Sequence, residues 1–173
     1  MNNRTQTFRI LISEGTMNIG IFVNSKTGNS LSVAENLRDR LAALGHKVTL
    51  ERVVASNDSE MDPGKIVLSN PPSIQGYDML VFAAPVNGAR LAFGMQAYLQ
   101  SLPSLEGKLL AGFVTEAFPF PWMGGNQAIR GMEKVVQAKG GKLSATGVVN
   151  WMFAGKRKAL IAETIAKIAA ISN

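Results

Sequence analysis

The segment Asn24–Ser30, NSKTGNS, has residue types that can bind a phosphate group. It lies between an apolar run and a helical pattern, where the unpaired N–H groups and the positive end of a helix dipole favour an anion. Hydroxyl and amide side chains can donate further hydrogen bonds, and Gly28 lets the backbone turn tightly around the anion. The candidate phosphate-binding residues are Ser25, Lys26, Thr27, Gly28, Asn29 and Ser30.

Two other loops have compositions that set them apart. Residues 84–91 include the turn-forming sequence PVNGAR, and residues 115–127 are rich in Pro, Gly and aromatic side chains. Each follows a buried strand pattern, and ligands of open α/β sheets bind beyond the carboxyl ends of the strands. The three loops therefore predict one ligand site at one edge of a sheet. The glycine spacing of NSKTGNS matches neither the mononucleotide P-loop nor the dinucleotide pattern GxGxxG.

Apolar periodicity predicts the elements that carry these loops. Strand patterns cover residues 18–23, 46–53, 77–85, 108–116 and 142–151, and helical patterns cover 30–44, 91–102, 129–136 and 157–171. Strands that alternate with helices favour an α/β fold, with a parallel sheet between helices on both faces. Residues 54–76 contain three prolines and no helical pattern. They predict a covering loop in place of a crossover helix.

The length of 173 residues favours a single domain. Residues 1–16 have only a short apolar patch, and a second methionine, Met17, stands where the first strand begins. We therefore predict an N-terminal extension outside the fold at residues 1–16 and one domain at residues 17–173. An additional edge strand at Phe8–Ile12 is the alternative.

Composition restricts the partners and the compartment. The chain has no cysteine, so it has no disulfide, thiolate metal site or cysteine nucleophile, which suits a reducing, cytoplasmic compartment. The net charge of +6 favours anionic partners. The densest cationic run, Gly155–Leu160, has three cations and is better interpreted as a solvated helix start than as a nucleic-acid patch. We predict no nucleic-acid partner, and no membrane partner because no apolar run approaches ~18 residues.

The sequence lacks the residue patterns of hydrolytic or metal chemistry. His46 is the only histidine and falls in a turn at the opposite end of the predicted sheet, and there is no GxSxG motif. Asp58, Glu60 and Asp62 cluster in the covering loop but lack the ligand density and turn glycine of a cation loop. We predict neither a catalytic residue nor a metal site.

The segment SKTGNS, directly after the first strand, resembles the phosphate loop of the flavodoxins, Ser/Thr-x-Thr-Gly-Asn/Thr-Ser/Thr. The spacing of the other elements over residues 17–171 agrees with this resemblance. It implies a flavodoxin-like three-layer sandwich with a five-stranded parallel sheet in the order 2-1-3-4-5 and helices on both faces. It also implies flavin mononucleotide (FMN) as the cofactor, with its phosphate on the loop Asn24–Ser30. The uninterrupted fifth strand resembles the short-chain type.

The resemblance also implies which residues contact the flavin ring, because in flavodoxins the loops after the third and fourth strands hold it. The implied residues are Pro85, Val86, Asn87, Gly88, Arg90, Thr115, Trp122, Gly124, Gly125 and Asn126. Trp122 is the candidate for stacking on the ring. Its loop also contains Phe118 and Phe120, and packing of these aromatics against the neighbouring prolines is the alternative.

Three of these positions have a more specific expected role. The N–H groups of Gly124 and Gly125 would face the pyrimidine edge of the flavin, and Asn126 would either do the same or cap a helix. Arg90, if near the N1–C2=O edge, would stabilise the reduced, anionic flavin. A solvated arginine at a helix start is the alternative for Arg90.

The resemblance implies an FMN-binding electron-transfer protein that shuttles electrons between redox partners. The alternative is an FMN-dependent NAD(P)H:quinone-type oxidoreductase, and a third possibility is a flavin-free protein-binding module, against which the intact loop Asn24–Ser30 argues. Flavodoxins are commonly acidic and this chain is basic, so we expect a redox partner with an acidic docking face. The sequence does not predict the oligomeric state.

Overall fold

The computed structural model describes residues 15–173. The predicted extension at residues 1–16 and the alternative edge strand at Phe8–Ile12 lie outside the described residues, apart from Gly15 and Thr16. The domain boundary at residue 17 therefore stays a prediction.

A five-stranded parallel sheet forms the centre of the structure. Its strands are β1 (Asn18–Val23), β2 (Lys47–Arg52), β3 (Met79–Asn87), β4 (Leu109–Glu116) and β5 (Leu143–Asn150). Their spatial order is β2-β1-β3-β4-β5, which confirms the predicted order 2-1-3-4-5. The inner strands are almost continuous apolar runs because helices cover both faces of the sheet.

Four helices pack on this sheet: α1 (Asn29–Ala43), α2 (Phe93–Ser101), α3 (Gly125–Ala138) and α4 (Ala154–Ala170). Buried residues of α1 and α4 form one apolar core with one face of the sheet, and buried residues of α2 and α3 form a second core with the other face. The predicted three-layer α/β sandwich is thus confirmed. Helix α4 begins three residues before the predicted start, since Ala154–Lys156 form its first residues although Gly155 is among them.

The segment between β2 and β3 contains no α-helix, as predicted. Val54–Ala55 pair in antiparallel fashion with Leu68–Ser69, and a single 3₁₀ turn covers Pro63–Lys65. The segment packs on the side of the sheet that carries α2 and α3, where Ile74 is buried. The Tyr98 hydroxyl of α2 donates to the Pro72 carbonyl at 2.7 Å and fixes the segment in place. This segment occupies the position that a crossover helix would otherwise take.

Candidate functional site

The loops after β1 and β4 are joined by a buried hydrogen bond at the carboxyl edge of the sheet. Ser30 Oγ lies 2.7 Å from Thr115 Oγ1, although 85 residues separate them in the chain. Both side chains are buried. Beside them, Asn24 is also buried, and its amide donates to the Val53 carbonyl at 3.0 Å. The predicted phosphate loop is therefore fixed to β4 at one end and to the end of β2 at the other.

The start of α1 leaves backbone donors free. Gly28 is the residue before the helix and has φ of 89°, a left-handed conformation that favours glycine. No side chain caps this helix in the usual position, and Leu31 N–H reaches Ser25 Oγ only at 3.4 Å. Within residues 15–173, the N–H groups of Asn29 and Ser30 have no hydrogen-bond acceptor. This arrangement can accept an anion from outside the chain.

Two cations fix the outer side of the same loop. Lys26 Nζ donates to the Asp58 carbonyl at 2.8 Å and lies 3.7 Å from the Asp58 carboxylate. Arg52, at the end of β2, donates from Nη2 to the Ser25 carbonyl at 3.0 Å. Together with residues 53–55 they line a cavity of about 340 Å³ beside the loop. Thr27 is exposed, so its hydroxyl remains available to a ligand.

Arg52 was not predicted as a site residue from the sequence, where it lies within the strand pattern of residues 46–53. The signal that could have identified it is its place in the sheet. It lies at the carboxyl end of β2, and β2 neighbours β1, which carries the phosphate loop. Any polar residue at that end of β2 is a candidate for the site.

The loop after β3 is a tight β-hairpin. Pro85, Val86 and Asn87, predicted to lie in a loop, belong to β3, and Val86 and Asn87 pair with Leu91 and Arg90. The two turn residues, Gly88 and Ala89, have φ values of 55° and 61°. Positive φ at both positions is typical of a type I′ turn, whose twist matches the strands. An alanine in this conformation costs about 1–2 kcal/mol, so Ala89 is held there by the hairpin.

Arg90 and the phosphate loop line different cavities. It is exposed on the hairpin and lines a groove between α2 and α3. Arg90 is solvated, as the alternative expected, but it pairs within the hairpin rather than starting a helix, since α2 begins at Phe93. The role of Arg90 at the flavin edge stays a prediction.

A buried carboxylate lies under the loop after β4. Glu116 is 3% exposed, and its Oε2 accepts the Gly125 N–H at 2.8 Å while its Oε1 accepts the Asn150 amide at 2.6 Å. The same Asn150 amide donates to the Phe118 carbonyl at 2.8 Å. Burial raises the pKa of Glu116 above its ordinary value, and the two hydrogen bonds oppose part of this shift. Glu116 thus holds the last residues of β4 and β5 and the start of α3 in one network.

This network changes what the predicted residues Gly124–Asn126 can do. The Gly125 N–H donates to Glu116, so it does not point freely towards a ligand. Gly124 precedes α3, and a side chain there would meet Val86 and Ala89 of the hairpin at 3.0 and 3.2 Å. The loops after β3 and β4 therefore touch at Gly124. Asn126 is the second residue of α3, so its alternative interpretation as the helix cap is wrong.

An exposed aromatic surface borders the site. Phe120 and Trp122 stack with their ring centroids 6.0 Å apart and their planes 7° from parallel, and Trp122 is 66% exposed. Lys156 Nζ lies 5.6 Å from the centroids of both Phe120 and Phe153, which joins the loops after β4 and β5. The exposed apolar side chains of this surface are Phe118, Phe120, Trp122, Met152 and Phe153. One face of Trp122 stacks on Phe120, and its exposure leaves it able to contact a second ring.

Solved structures share this architecture. A short-chain flavodoxin associated with a PDU bacterial microcompartment matches with a TM-score of 0.63 and 18% identity, over 91% of this chain and 100% of that chain. Flavodoxin 2 from Bacillus cereus, in its oxidised form, matches with a TM-score of 0.60 and 19% identity, over 88% and 99%. A mutant flavodoxin from Fusobacterium nucleatum bound to flavin mononucleotide matches with a TM-score of 0.61 and 14% identity, over 91% and 98%. This chain has a flavodoxin-like fold.

The likeness is one of fold. A scan against models of protein families matched none, and a sequence search of curated proteins found no match. The flavodoxin-like sheet has its topological switch point between β1 and β3, the strands that the loop Asn24–Ser30 and the hairpin follow. The candidate site therefore coincides with the position at which this topology favours ligand binding.

The donors of the phosphate loop fit the phosphate of a flavin mononucleotide. A compact anion is favoured by the N–H groups of Asn29 and Ser30, by the Thr27 and Ser25 hydroxyls and by the dipole of α1. The Ser30 hydroxyl is not available to the phosphate in the same way, because it is hydrogen-bonded to the Thr115 hydroxyl inside the protein. Thr115 is likewise a support for the site, since it is buried at 3% exposure.

Neither a metal centre nor a membrane-crossing helix occurs in the described part of the chain. Within residues 15–173, no group of three or more His, Cys, Asp or Glu side chains is placed to hold a metal ion. In the same residues, no helix is both long enough and apolar enough to cross a bilayer.

Proposed function

We propose that this chain binds FMN at the carboxyl edge of its sheet and transfers electrons between redox partners. The observation that carries the proposal is the open N-terminus of α1. Its Asn29 and Ser30 N–H groups have no acceptor among the described residues and lie behind a loop of hydroxyl side chains. The solved flavodoxins with this fold, one of them bound to FMN, support the choice of ligand.

The residues of the chain would divide the work of holding FMN. Gly28 lets the backbone approach the phosphate, the first N–H groups of α1 and the Thr27 hydroxyl bind it, and Arg52 adds positive potential from the end of β2. The hairpin and the loop 117–124 would hold the ring, with Trp122 on one face. The bound flavin would supply the electron-accepting and electron-donating chemistry.

Glu116 would modulate the flavin in two ways. It keeps the loop after β4 in position through Gly125 and Asn150. Its burial also places an ionisable group behind the residues proposed to contact the ring. Protein charges near a flavin are one determinant of its chemistry, so the ionisation of Glu116 is expected to affect the bound cofactor.

The proposed redox partner has an acidic docking face. Lys156 is exposed beside the aromatic surface and Lys158 is exposed further along α4, and no ion pair joins either of them to an acidic group within residues 15–173. Together with the net charge of +6, this favours encounter with an acidic surface. We propose a cytoplasmic carrier, in keeping with the cysteine-free sequence.

An FMN-dependent NAD(P)H:quinone-type oxidoreductase is the second candidate, and the exposed aromatic surface favours it. Phe120, Trp122 and Phe153 are 44 to 66% exposed, which leaves room for a second flat ligand to stack. The two functions differ in a direct assay. Protein reconstituted with FMN is mixed with NADPH and a soluble quinone, and consumption of NADPH is followed by absorbance. A carrier takes up electrons from dithionite but shows no catalytic consumption, whereas turnover would favour the oxidoreductase.

A further inference from the structure

A groove between α2 and α3 is separate from the phosphate loop and from the aromatic surface. Its volume is about 650 Å³, which is in the range of small-molecule sites. Among the described residues, it adjoins the candidate flavin site through the hairpin, at Ala89, Arg90 and Leu91, and through Gln127, whose side-chain amide donates to the Trp122 carbonyl at 3.1 Å. The proposed FMN function shares only the hairpin with the lining of this groove.

Gly131 creates the space. A side-chain carbon at Gly131 would meet only Leu91 Cβ, at 3.9 Å, so this position is open. Other glycines near α3 are in close contact: a side chain at Gly112 would collide with Met132, and one at Gly141 would lie 3.0 Å from Val136. Packing around α3 is therefore tight except at Gly131. Glycine is also unfavourable inside a helix, so Gly131 lowers the stability of α3. Its missing side chain leaves the groove open.

The groove has an apolar floor and an amide rim. Leu91 is 2% exposed, and Val135 and Ala138 extend the apolar surface along α3. Three glutamines, Gln96 and Gln100 on α2 and Gln127 on α3, line the groove as well. An apolar body can pack on this floor, while the amides can hydrogen-bond to a polar group at the edge.

All of the charges that line the groove in the described part of the chain are positive. Arg90 lies at the hairpin end, and Lys134 and Lys139 lie along α3, while no acidic residue lines it. None of the three cations forms an ion pair within residues 15–173. The complementary ligand has a negative charge, because all three of these side chains would repel a cation.

We propose that this groove binds a small amphipathic acid, with its apolar body on Leu91 and Val135 and its carboxylate among Arg90, Lys134 and Lys139. The proposed acid site shares the hairpin with the flavin site but does not require a bound flavin. A chain that failed to bind FMN would still be expected to bind the acid, and the reverse also holds.

Calorimetric titration of the full chain with three probes of equal length tests the charge requirement. The probes are octanoate, octylammonium and octanol, each titrated with and without saturating FMN. Octanoate is expected to bind about tenfold or more tightly than octylammonium, with octanol between them, and FMN is expected not to displace it. The double variant Lys134→Gln/Lys139→Gln should lower the affinity for octanoate towards that for octanol.

A second variant tests the location. Gly131→Leu adds a side chain whose Cβ would meet only Leu91, at 3.9 Å, and it should weaken octanoate binding about tenfold or more. Gly155→Leu is the matched control, because Gly155 also lies in a helix and a side-chain carbon there would have open space around it. It should leave the affinity unchanged. The proposal is overturned if octanoate does not bind at millimolar concentration, binds no more tightly than octylammonium, is displaced by FMN, or binds equally well to Gly131→Leu.

Discussion

Ser30 Oγ and Thr115 Oγ1 lie 2.7 Å apart and join the first turn of α1 to the end of β4 inside the protein. Ser30 is 1% exposed and Thr115 3%. The pair connects the loop proposed to bind phosphate with the strand that carries the ring loop. Its role is to hold two parts of the site in register rather than to contact the ligand.

Disrupting this pair is expected to destabilise the fold in a non-additive way. Ser30→Ala and Thr115→Val should each lower the free energy of unfolding by about 1–3 kcal/mol, since each leaves a buried hydroxyl unpaired. The double variant should cost clearly less than the sum of the two. Urea unfolding of the four proteins measures the coupling. Strictly additive losses would show that the two hydroxyls do not interact.

Thr27→Val should weaken FMN but not riboflavin. Thr27 is exposed in the loop, and a hydrogen bond to a charged group is worth about 1.5–3 kcal/mol. Thr49→Val on β2 is a suitable control because Thr49 lies inside the strand, three residues before its carboxyl end. Fluorescence titration measures the affinities of the original chain and of both variants for FMN and for riboflavin. An equal loss for both flavins would mean that Thr27 acts on the ring or on the fold.

Arg52→Gln should reduce the affinity for FMN and make it less sensitive to salt. Arg52 holds the Ser25 carbonyl and adds a positive charge beside the phosphate loop. Titrations at low and high salt compare the variant with the original chain, since exposed charges are screened by ions. Lys158→Gln removes one charge elsewhere and serves as the control. If both variants behave alike, Arg52 contributes only to the overall charge.

Trp122→Leu should weaken FMN and riboflavin to the same extent, because it removes a contact with the ring and not with the phosphate. Aromatic stacking contributes about 0.5–1.5 kcal/mol beyond the area that it buries. Phe153→Leu is the control, since Phe153 is exposed on the same surface but follows β5. Unchanged binding of both flavins would assign Trp122 to the aromatic surface alone.

Glu116→Gln should change the dependence of stability on pH. Burial raises the pKa of Glu116 in the folded state above its ordinary value near 4.5. The folded state therefore holds the proton more strongly than the unfolded state, and stability falls as pH rises from about 4.5 through the folded pKa. The variant lacks this component, so its unfolding free energy should fall less over that interval. Parallel pH profiles would show that Glu116 does not titrate there.

Much of the fold could be predicted because its signals are local. The strand and helix patterns and the polar loop before α1 are all contained in short stretches of sequence. The missing α-helix between β2 and β3 could be predicted from its prolines. These features depend on neighbours in the chain, which a periodic pattern records.

The parts of the site that were missed depend on contacts between distant residues. Glu116 and Asn150 are 34 residues apart, and Arg52 reaches Ser25 across 27. A glutamate at the end of an apolar strand gives no sign of which donors will surround it. Ala89 adopts a left-handed conformation because the hairpin closes on it, although alanine has no such preference. Such features are decided by tertiary packing.

A fluorescence titration of the purified chain with FMN, with riboflavin as the control, tests the central claim most directly. We expect tight binding of FMN and much weaker binding of riboflavin, because the start of α1 and the loop Asn24–Ser30 bind the phosphate that riboflavin lacks. Equal binding of both would place the phosphate away from this loop. Binding of neither would contradict the proposed function while leaving the flavodoxin-like fold unchanged.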